Sequence, residues 1–399
     1  MGAAAKLVPI GALVEKIRTW NPARESESDT FRYIDIASVS QSEKRIIPNR
    51  EVPVGQAPSR ARQLVEEGDV LVSTVRPNLN TVAYVSEEMH GATASTGFCV
   101  LRPKSDKIHG RFLFHWVQSP RFVADLVKQA TGQSYPAVSD KIIKETCLPL
   151  PHLDEQRRIA AILDQASLVR RLRLRSVEKI SELSQSIFYE IFGDPLTNPN
   201  KWPDDRQLGE VAEIVSGITK GRKPNRRETR EVPYLAVINV QDRFLRLSPL
   251  KTIDATNEEI NKYKLEVDDL LLTEGGDPDK LGRGTIWQGE LPTCIHQNHV
   301  FRIRLRDTSV RPIFLNWLIG SKRGKAYFLR SAKQTTGIAS INKTQLRNFP
   351  LLLPPIDLQK EFEQWIVVND RLQKTMDAAL QEKEALFLSL QQRAFRGEL

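Results

Sequence analysis

The stretch LPLPHLDEQ at residues 148–156 decides how the chain is organised, because it occurs twice. It returns as LLLPPIDLQ at residues 351–359, 203 positions later. A segment without proline or glycine runs on from each copy, at residues 154–192 and 357–395. Proline is tolerated at the start of a helix but breaks one from within. We therefore predict two long helices, each ~50–60 Å in length at ~1.5 Å per residue.

Other matches extend this repeat towards the N-terminus. Their common order and near-constant offset indicate an internal duplication, which has to be recognised before any fold is inferred. The matches are GDVLVS at residues 68–73 with DDLLLT at 268–273, VAY at 82–84 with TIW at 285–287, TG at 131–132 with TG at 336–337, and IG at 10–11 with LG at 208–209.

The region before each long helix has a mixed pattern. Short β-branched and aromatic runs separated by Gly, Pro and Asn predict strands. One helix is predicted late in each copy, at residues 110–130 and 311–333, from apolar residues at helical spacing. We therefore predict an α+β fold with two pseudo-repeated mixed α/β domains joined by two long antiparallel coiled-coil helices. The predicted bounds are 1–150 for the first domain, 151–193 for the first helix, 194–353 for a linker and the second domain, and 354–399 for the second helix.

The two long helices are predicted to pack on each other. Apolar residues recur along both at alternating steps of three and four, which is the spacing of a coiled-coil seam. In an antiparallel alignment Arg173 falls opposite Met376, and Ile180 opposite Asn369. The alternative is that each helix packs on its own globular domain. The predicted seam residues are Ile159, Ile162, Val169, Arg173, Ile180, Leu183, Ile187, Phe362, Trp365, Asn369, Leu372, Met376, Leu386 and Leu390.

Composition restricts the class of protein and of partner. The 399 residues include 58 Lys and Arg against 49 Asp and Glu, a formal charge of +9. Such an excess favours an anionic partner, most often nucleic acid, although a merely basic protein remains the alternative. The three cysteines form no CxxC pair, so neither a disulfide framework nor a zinc site is expected, and a reducing cytosol fits. No apolar run approaches the ~20 residues that span a membrane, so no membrane association is expected.

Motifs for catalysis are lacking, so we predict no catalytic, cofactor-binding or metal-binding residues. The segments DPLT at residues 194–197 and NPN at 198–200 lack the second proline and the aromatic residue of an adenine methyltransferase motif. The glycines at residues 275–276 are not followed by the GK(S/T) of a phosphate-binding loop. His296 and His299 form an HxxH pattern, but in a strand they would point to opposite faces.

Basic and polar loops offer candidate contacts to DNA. The stretch GRKPNRRETR at residues 221–230 suits phosphate contact, and the turn TVRPN at 74–78 carries residue types that read base edges. Solvent-exposed charge without a partner is the alternative for the basic loop, and the arginine run at residues 170–175 is interpreted as a solvated or partner-facing flank. The predicted DNA-binding residues are Arg76, Asn78, Lys128, Thr131, Gln133, Ser134, Tyr135, Lys220, Arg222, Lys223, Arg226, Arg227, Lys333, Thr335, Thr336, Ser340, Asn342 and Lys343.

Together these features resemble the specificity subunit of a type I restriction-modification system. The resemblance covers the whole chain and is strongest at the helix ends: the repeated entry motif, the linker FGDP at residues 192–195 and the terminal LQQRAFRGEL at 390–399. One departure is that the second helix entry has Leu358 where the first has Glu155.

The resemblance implies a cytoplasmic, non-catalytic protein of phage defence. Each mixed domain would be a target recognition domain that reads one half of a bipartite, asymmetric site in double-stranded DNA, and the helices would be spacers. Two modification (methyltransferase) subunits and the restriction (translocase and endonuclease) subunits would be partners, and these would carry AdoMet, Mg and ATP. The alternatives are a fused enzyme, disfavoured by the missing motifs, and a standalone structural or decoy DNA-binding protein without methyltransferase partners. Co-purification with a methyltransferase distinguishes the last.

Overall fold

The computed structural model describes residues 6–22, 30–47, 51–132, 134–221, 228–276, 281–335 and 338–399. The chain divides into two compact units. Unit 1 comprises Met1–Val177 and Thr375–Leu399, and unit 2 comprises Glu178–Lys374. Each unit therefore contains one mixed domain and a part of both long helices. This division differs from the predicted domain bounds, because each helix segment packs with the domain nearest to it.

Unit 1 contains twelve of the described strands and the smaller helices of the first domain. The strands are β1 (Lys6–Pro9), β2 (Val14–Glu15), β3 (Thr30–Ile34), β4 (Val39–Ser40), β5 (Arg45–Ile46), β6 (Glu51–Pro53), β7 (Ala61–Leu64), β8 (Val70–Ser73), β9 (Val82–Tyr84), β10 (Thr93–Ser95), β11 (Phe98–Pro103) and β12 (Cys147–Leu150). The helices are α1 (Ile10–Leu13), α2 (Gly110–Trp116), α3 (Pro120–Gln129) and α4 (Asp140–Glu145), followed by the long α5 (Leu153–Phe192).

Unit 2 repeats much of this order. Its described strands are β13 (Ala212–Ser216), β14 (Thr229–Leu235), β15 (Lys251–Thr256), β16 (Leu270–Thr273), β17 (Gly275–Gly276), β18 (Gly284–Ile286), β19 (Ile295–His296), β20 (Val300–Leu305), β21 (Lys333–Thr335) and β22 (Ile338–Ser340). The helices are α6 (Leu208–Val211), α7 (Asn257–Tyr263), α8 (Pro312–Gly320), α9 (Lys322–Ser331) and α10 (Lys343–Arg347), followed by the long α11 (Ile356–Arg396).

Each unit contains a four-stranded antiparallel sheet of equivalent strand order. Its strand order is β2-β11-β8-β9 in unit 1 and β13-β20-β16-β18 in unit 2. The central strands β8 and β16 are buried along their whole length, which explains their uninterrupted apolar sequences. The duplication inferred from sequence is therefore also a duplication of topology.

The prediction of one helix late in each copy is wrong in one respect, because each region contains two consecutive helices. In unit 1 a break separates α2 from α3, where Pro120 has no N–H to donate and Ser119 caps the new helix through the N–H of Phe122. In unit 2 the break occurs at Ser321 without a proline. There a Cβ on Gly324 would lie 1.9 Å from the carbonyl oxygen of Ile319, so the sharp turn requires glycine.

The glutamine that ends each repeated entry motif joins the long helix to its domain. Gln156 is buried, accepts a hydrogen bond from the N–H of His109 at 2.8 Å and donates to two backbone carbonyls. Gln359 is buried in the same way, accepts from the N–H of Arg311 at 2.9 Å and donates to two carbonyls. His109 lies at the start of α2 and Arg311 at the start of α8, where backbone N–H groups lack helical partners.

Within each unit the two long helices run antiparallel. In unit 1 Arg173 lies against Met376, with Nη1 3.3 Å from Sδ, as the sequence alignment placed them. In unit 2 the Asn369 amide donates to the hydroxyl of Ser184 at 3.1 Å. Asn369 is buried, but its partner is Ser184 and not the predicted Ile180.

The buried stripe on the helices departs from the predicted seam. A heptad seam assumes that each helix buries one face against a single partner, but here the helices also pack on their domains. Buried positions outside the predicted seam therefore face the domain cores, among them Leu163 and Phe387 in unit 1 and Phe188 and Ile366 in unit 2. The predicted seam residues that the structure instead leaves exposed are Val169, Leu183, Trp365, Leu372 and Leu386.

Candidate nucleic-acid interface

In unit 1 two of the predicted contact segments meet in space. The turn after β8 pairs with the segment after α3, because the N–H of Arg76 donates to the carbonyl of Pro136 at 2.7 Å. The N–H of Val138 donates to the carbonyl of Thr74 at 2.9 Å, and Thr131 pairs with Ala137. Residues far apart in the sequence thus form one surface at the end of the central strand.

Arg76 and Tyr135 form the exposed centre of this surface. The guanidinium of Arg76 lies 4.8 Å from the centre of the Tyr135 ring, a cation–π contact worth ~0.5–1 kcal/mol at an exposed site. Tyr135 is 69% exposed, and Arg76 has a positive φ of 49°. Asn78, Lys128, Thr131 and Ser134 are exposed around this pair. The arrangement presents donors and an aromatic face to solvent, which suits contact with phosphates and bases.

Unit 2 builds the corresponding surface with different residues. The strand β17 pairs with β22, which also pairs with β21, so residues 333–335 and 338–340 lie beside the turn after β16. A Cβ on Gly275 would lie 2.7 Å from the carbonyl oxygen of Ala339, so this close pairing requires glycine. Ser340 contributes backbone pairing here, with Gly275 and Lys333 as its partners.

A histidine–carboxylate pair that the sequence did not suggest lies at this surface. His299 Nδ1 is 2.5 Å from Glu274 Oε2, and the histidine is exposed. His296 instead is buried, with Nδ1 2.7 Å from the carbonyl oxygen of Val300, and burial lowers its pKa to about 4. The two histidines of the HxxH pattern thus have separate partners. Among the described residues no cluster of three or more metal-ligating side chains is present.

Other predicted contact residues have varied positions. Lys220 and Lys343 are exposed. Asn342 is exposed, and its side chain accepts from the N–H of Gln345 at 2.9 Å and caps α10. Its residue type therefore reflects a helix start. Gln133, Arg222, Lys223, Arg226, Arg227 and Thr336 lie outside the described residues, as do the side chains of Lys333 and Thr335.

Three members of the arginine run of α5, Arg170, Arg173 and Arg175, have partners within unit 1. Arg170 Nη2 donates to the carbonyl of Ser42 at 3.0 Å, and Arg175 donates to Glu43 through two nitrogens at 3.1 Å each. These contacts join the long helix to the β4–β5 hairpin of the same unit. Sequence reasoning missed them because the partners are more than 120 residues apart.

The junction between domain and helices in unit 1 combines a polar cluster with aromatic contacts, in which Phe395 of α11 packs on Phe112 and Trp116 of α2. His115 of α2 is fully buried, and its Nε2 lies 2.7 Å from Asp164 Oδ1 on α5. Arg111 Nε donates to the same carboxylate at 3.0 Å, and Gln391 of α11 donates to the carbonyl of His115 at 3.0 Å. Burial raises the pKa of Asp164, but the hydrogen bonds from His115 and Arg111 outweigh it and lower the pKa to about 2.

The corresponding junction in unit 2 is aromatic. Phe188 of α5 stacks on Trp317 of α8, with ring centres 5.8 Å apart, and meets Phe362 of α11 edge-on at 5.3 Å. Phe314 and Phe192 complete the cluster at 4.8 Å. Trp317 stands 202 positions after His115, and Gln391 stands 203 positions after Phe188, so the same repeat positions hold opposite chemistry.

Comparison with known proteins matches this architecture to one family. The family model of the type I restriction modification DNA specificity domain matches residues 14–183 and 199–393. The chain is 23% identical over 355 residues to the type I restriction enzyme StySPI specificity subunit of Salmonella potsdam, which covers 84% of this chain and 76% of that protein. It is 23% identical over 321 residues to the EcoKI specificity subunit of Escherichia coli (strain K12), covering 76% and 68%.

Solved structures share the fold. One is a chain of a type I R-M system studied for its complex assembly and conformational transition, with a TM-score of 0.58, 24% identity, and coverage of 100% of this chain and 99% of that chain. Another is the S subunit of a type I restriction-modification system from M. genitalium, with a TM-score of 0.54, 13% identity, and coverage of 98% and 96%. Within the part of the chain that the structure describes, no helix combines the length and apolar character needed to cross a bilayer.

Proposed function

Because the chain belongs to the type I restriction modification DNA specificity family, we propose that it reads a bipartite, asymmetric DNA site, with one half-site recognised by each unit. The observation that carries this proposal is the repeated sheet whose turns end in equivalent surfaces of different composition. Unit 1 offers Arg76 and Tyr135 there, whereas unit 2 offers Glu274 and His299. Different side chains at equivalent positions of one scaffold suit the reading of different bases.

The proposal assigns recognition to this chain and chemistry to its partners. Two modification subunits supply AdoMet and methylation, and restriction subunits supply Mg- and ATP-dependent translocation and cleavage in the cytoplasm. This chain itself carries out none of these reactions. Its role is to place the partner enzymes at a chosen DNA sequence.

Exposed apolar residues on the long helices support the docking of modification subunits. Such side chains are expected at protein–protein contacts when several are grouped together. In unit 1 they are Leu168, Val169, Leu172, Leu386 and Leu388. In unit 2 they are Leu183, Trp365, Val367, Val368 and Leu372.

Methylome sequencing of cells that carry this chain with its cognate modification subunit tests the proposal. We expect a motif of two half-sites separated by a non-specific gap, and exchange of residues 1–150 for the matching domain of a relative should change one half-site only. A change in both half-sites would contradict the modular assignment. A chain that binds DNA but does not co-purify with a methyltransferase would favour the decoy alternative.

A second experiment tests the helices as spacers. Insertion of four residues near Ser176 lengthens α5 by ~6 Å and nearly restores the helix phase. We expect the same half-sites across a longer gap, whereas insertion of two residues should abolish assembly. An active four-residue variant with an unchanged gap would show that the helices do not determine the spacing.

A further inference from the structure

The β4–β5 hairpin of unit 1 attaches its domain to the long helix through charge. Its tip carries Glu43, whose carboxylate accepts both hydrogen bonds of the Arg175 fork at 3.1 Å. Arg170 adds a bond to the carbonyl of Ser42 at 3.0 Å. The Glu43 side chain is only 13% exposed although it lies at the tip of a hairpin. Two-pronged bonds of this kind restrict the angle between the groups as well as their distance.

The carboxylate of Glu43 in this attachment is largely buried, whereas the side chain of Arg175 is 43% exposed. The hydrogen bond from Arg175, with that from Arg45, lowers the pKa of Glu43 to about 2 despite its burial. Burial lowers the pKa of Lys44 at the same tip to about 8, and the charge of Arg170 adds to this shift. Desolvated charges contribute little net stability compared with a hydrophobic contact of similar size. The main effect of the Glu43–Arg175 pair is therefore to restrict the orientation of the hairpin on α5.

The same hairpin reaches the candidate DNA-contact turn. Lys44 Nζ donates to the carbonyl of Asn80, which ends the turn that begins at Arg76. The Asn80 amide donates in addition to the carbonyl of Gln118 at 3.2 Å. A continuous path of hydrogen bonds thus runs from Arg175 on α5 through the hairpin to the turn beside Tyr135.

Unit 2 places a hairpin tip at the equivalent position. Arg243 has a positive φ of 65°, as Lys44 has one of 54°. The N–H of Arg243 donates to the carbonyl of Gly284 at 2.8 Å, and its guanidinium lies 3.5 Å from the centre of the Trp317 ring. It also interacts electrostatically with Asp370 of α11. The repeat has therefore kept a basic residue at this tip while its partners have changed.

We propose that the β4–β5 hairpin is a bracket that holds the contact surface of unit 1 at one orientation on its helix, with Glu43 and Arg175 as positioning residues for DNA recognition. This proposal rests on the proposed function. A reader that pivots on its helix accepts DNA in which its half-site is displaced, whereas a bracketed reader does not. The bracket thus makes the length of the gap part of the specificity.

The test measures binding of the full chain, in complex with its cognate modification subunit, to duplexes with the same two half-sites. The gap is the preferred length, or one base pair shorter or longer. We expect Glu43→Gln to reduce discrimination between gaps by about tenfold, equivalent to about 1.4 kcal/mol. Arg175→Gln should give a similar loss, and the double variant should give clearly less than the sum of the two losses, since both single variants remove the Glu43–Arg175 pair. Arg175→Lys keeps the charge but loses the fork, so the same relaxation is expected.

The matched control is Glu145→Gln, which removes the exposed Lys141–Glu145 pair of the same unit and should leave the gap profile unchanged. A profile unchanged in all four bracket variants would overturn the proposal. Equal weakening at every gap would also overturn it, because that result indicates a purely structural role. A wild-type complex without a preferred gap would overturn the proposed function and this proposal with it, whereas a preferred gap that the variants retain overturns this proposal alone.

Discussion

In unit 1 the helix α2 meets the long helices through the polar cluster of His115, Asp164 and Gln391 in addition to the ring of Phe395. In unit 2 the helix α8 meets them through Trp317, Phe188 and Phe362. The hydrogen bonds by which Gln156 and Gln359 join the long helices to their domains are the same in both units. Backbone geometry has thus been retained where the helix begins, while the side chains of the interface have diverged.

Because of this difference, the interface residues of one unit are not complementary to those of the other. Packing of the aromatic helix α8 against Asp164 would remove the hydrogen bonds that this partly buried carboxylate accepts from Arg111 and His115. Packing of α2 against Phe188 would leave the buried His115 without an acceptor for Nε2. Complementarity within each unit therefore disfavours exchange between copies of a duplicated fold.

The largest expected effect is loss of the aromatic cluster. Phe362→Ala removes a fully buried ring that contacts Phe188, Phe192 and Trp317, so unit 2 should lose about 3–5 kcal/mol of stability. Hydrogen exchange measured peptide by peptide reports the stability of each unit separately, whereas a single melting temperature does not. The control is Trp365→Ala, which removes a half-exposed ring on the same helix, three residues after Phe362. This variant should change the free energy of unfolding by about 0.5 kcal/mol or less. Equal effects of the two variants would contradict the assignment.

The polar junction should respond less strongly. Asp164→Asn weakens the hydrogen bonds of Arg111 and His115, and we expect a loss of about 1–3 kcal/mol confined to the peptides of unit 1. Glu145→Gln, at an exposed ion pair, should cost less than about 1 kcal/mol. Protection lost first in unit 2 peptides would show that the junction was misassigned.

Acidification should destabilise unit 1 through His115. Burial lowers the pKa of this imidazole in the folded chain, so below pH 6.5 the unfolded chain binds a proton that the folded chain does not. Stability should therefore fall as pH falls below 6.5, by at most about 1.4 kcal/mol per pH unit. Asp164, with its folded pKa of about 2, stays ionised in this range and adds no slope.

Calorimetric melting of wild type and His115→Gln at pH 7.5 and 5.5 measures this contribution. The variant should lose less stability on acidification than the wild type does. His296 in unit 2 has a lowered pKa of its own, so the comparison is between the two proteins and not between the two units. Identical pH dependence of both proteins would exclude His115 as the source.

The smallest expected effect concerns the helix pair of unit 2. There the buried Asn369–Ser184 bond occupies the repeat positions held by Ala166 and Phe387 in unit 1. Replacing both partners, Asn369→Leu with Ser184→Ala, should change stability by less than about 1 kcal/mol, because no unsatisfied polar atom remains. Asn369→Leu alone leaves the Ser184 hydroxyl without that partner and should be the less stable of the two. The opposite order, measured by urea unfolding, would contradict the stabilising contribution of the Asn369–Ser184 bond.

Local sequence signals predicted the elements that depend on local physics. The long helices begin and end within one residue of the predicted 154–192 and 357–395, because proline and glycine act on the backbone where they stand. The turn at Arg76 and the segment at Tyr135 were each recognised as candidate contact residues. Their meeting was not predicted, because it depends on pairing across the domain.

By itself the sequence determined the duplication, the fold class, the helix limits and the family, since these follow from repeated motifs and local backbone chemistry. Only the tertiary structure decided which helix face is buried, because the domain cores compete with the partner helix and leave Leu183 and Trp365 exposed. It also decided that Arg175 binds Glu43 and that His115 binds Asp164. Such contacts join distant segments, and their energies depend on the desolvation of each group in the folded chain, which no local pattern encodes.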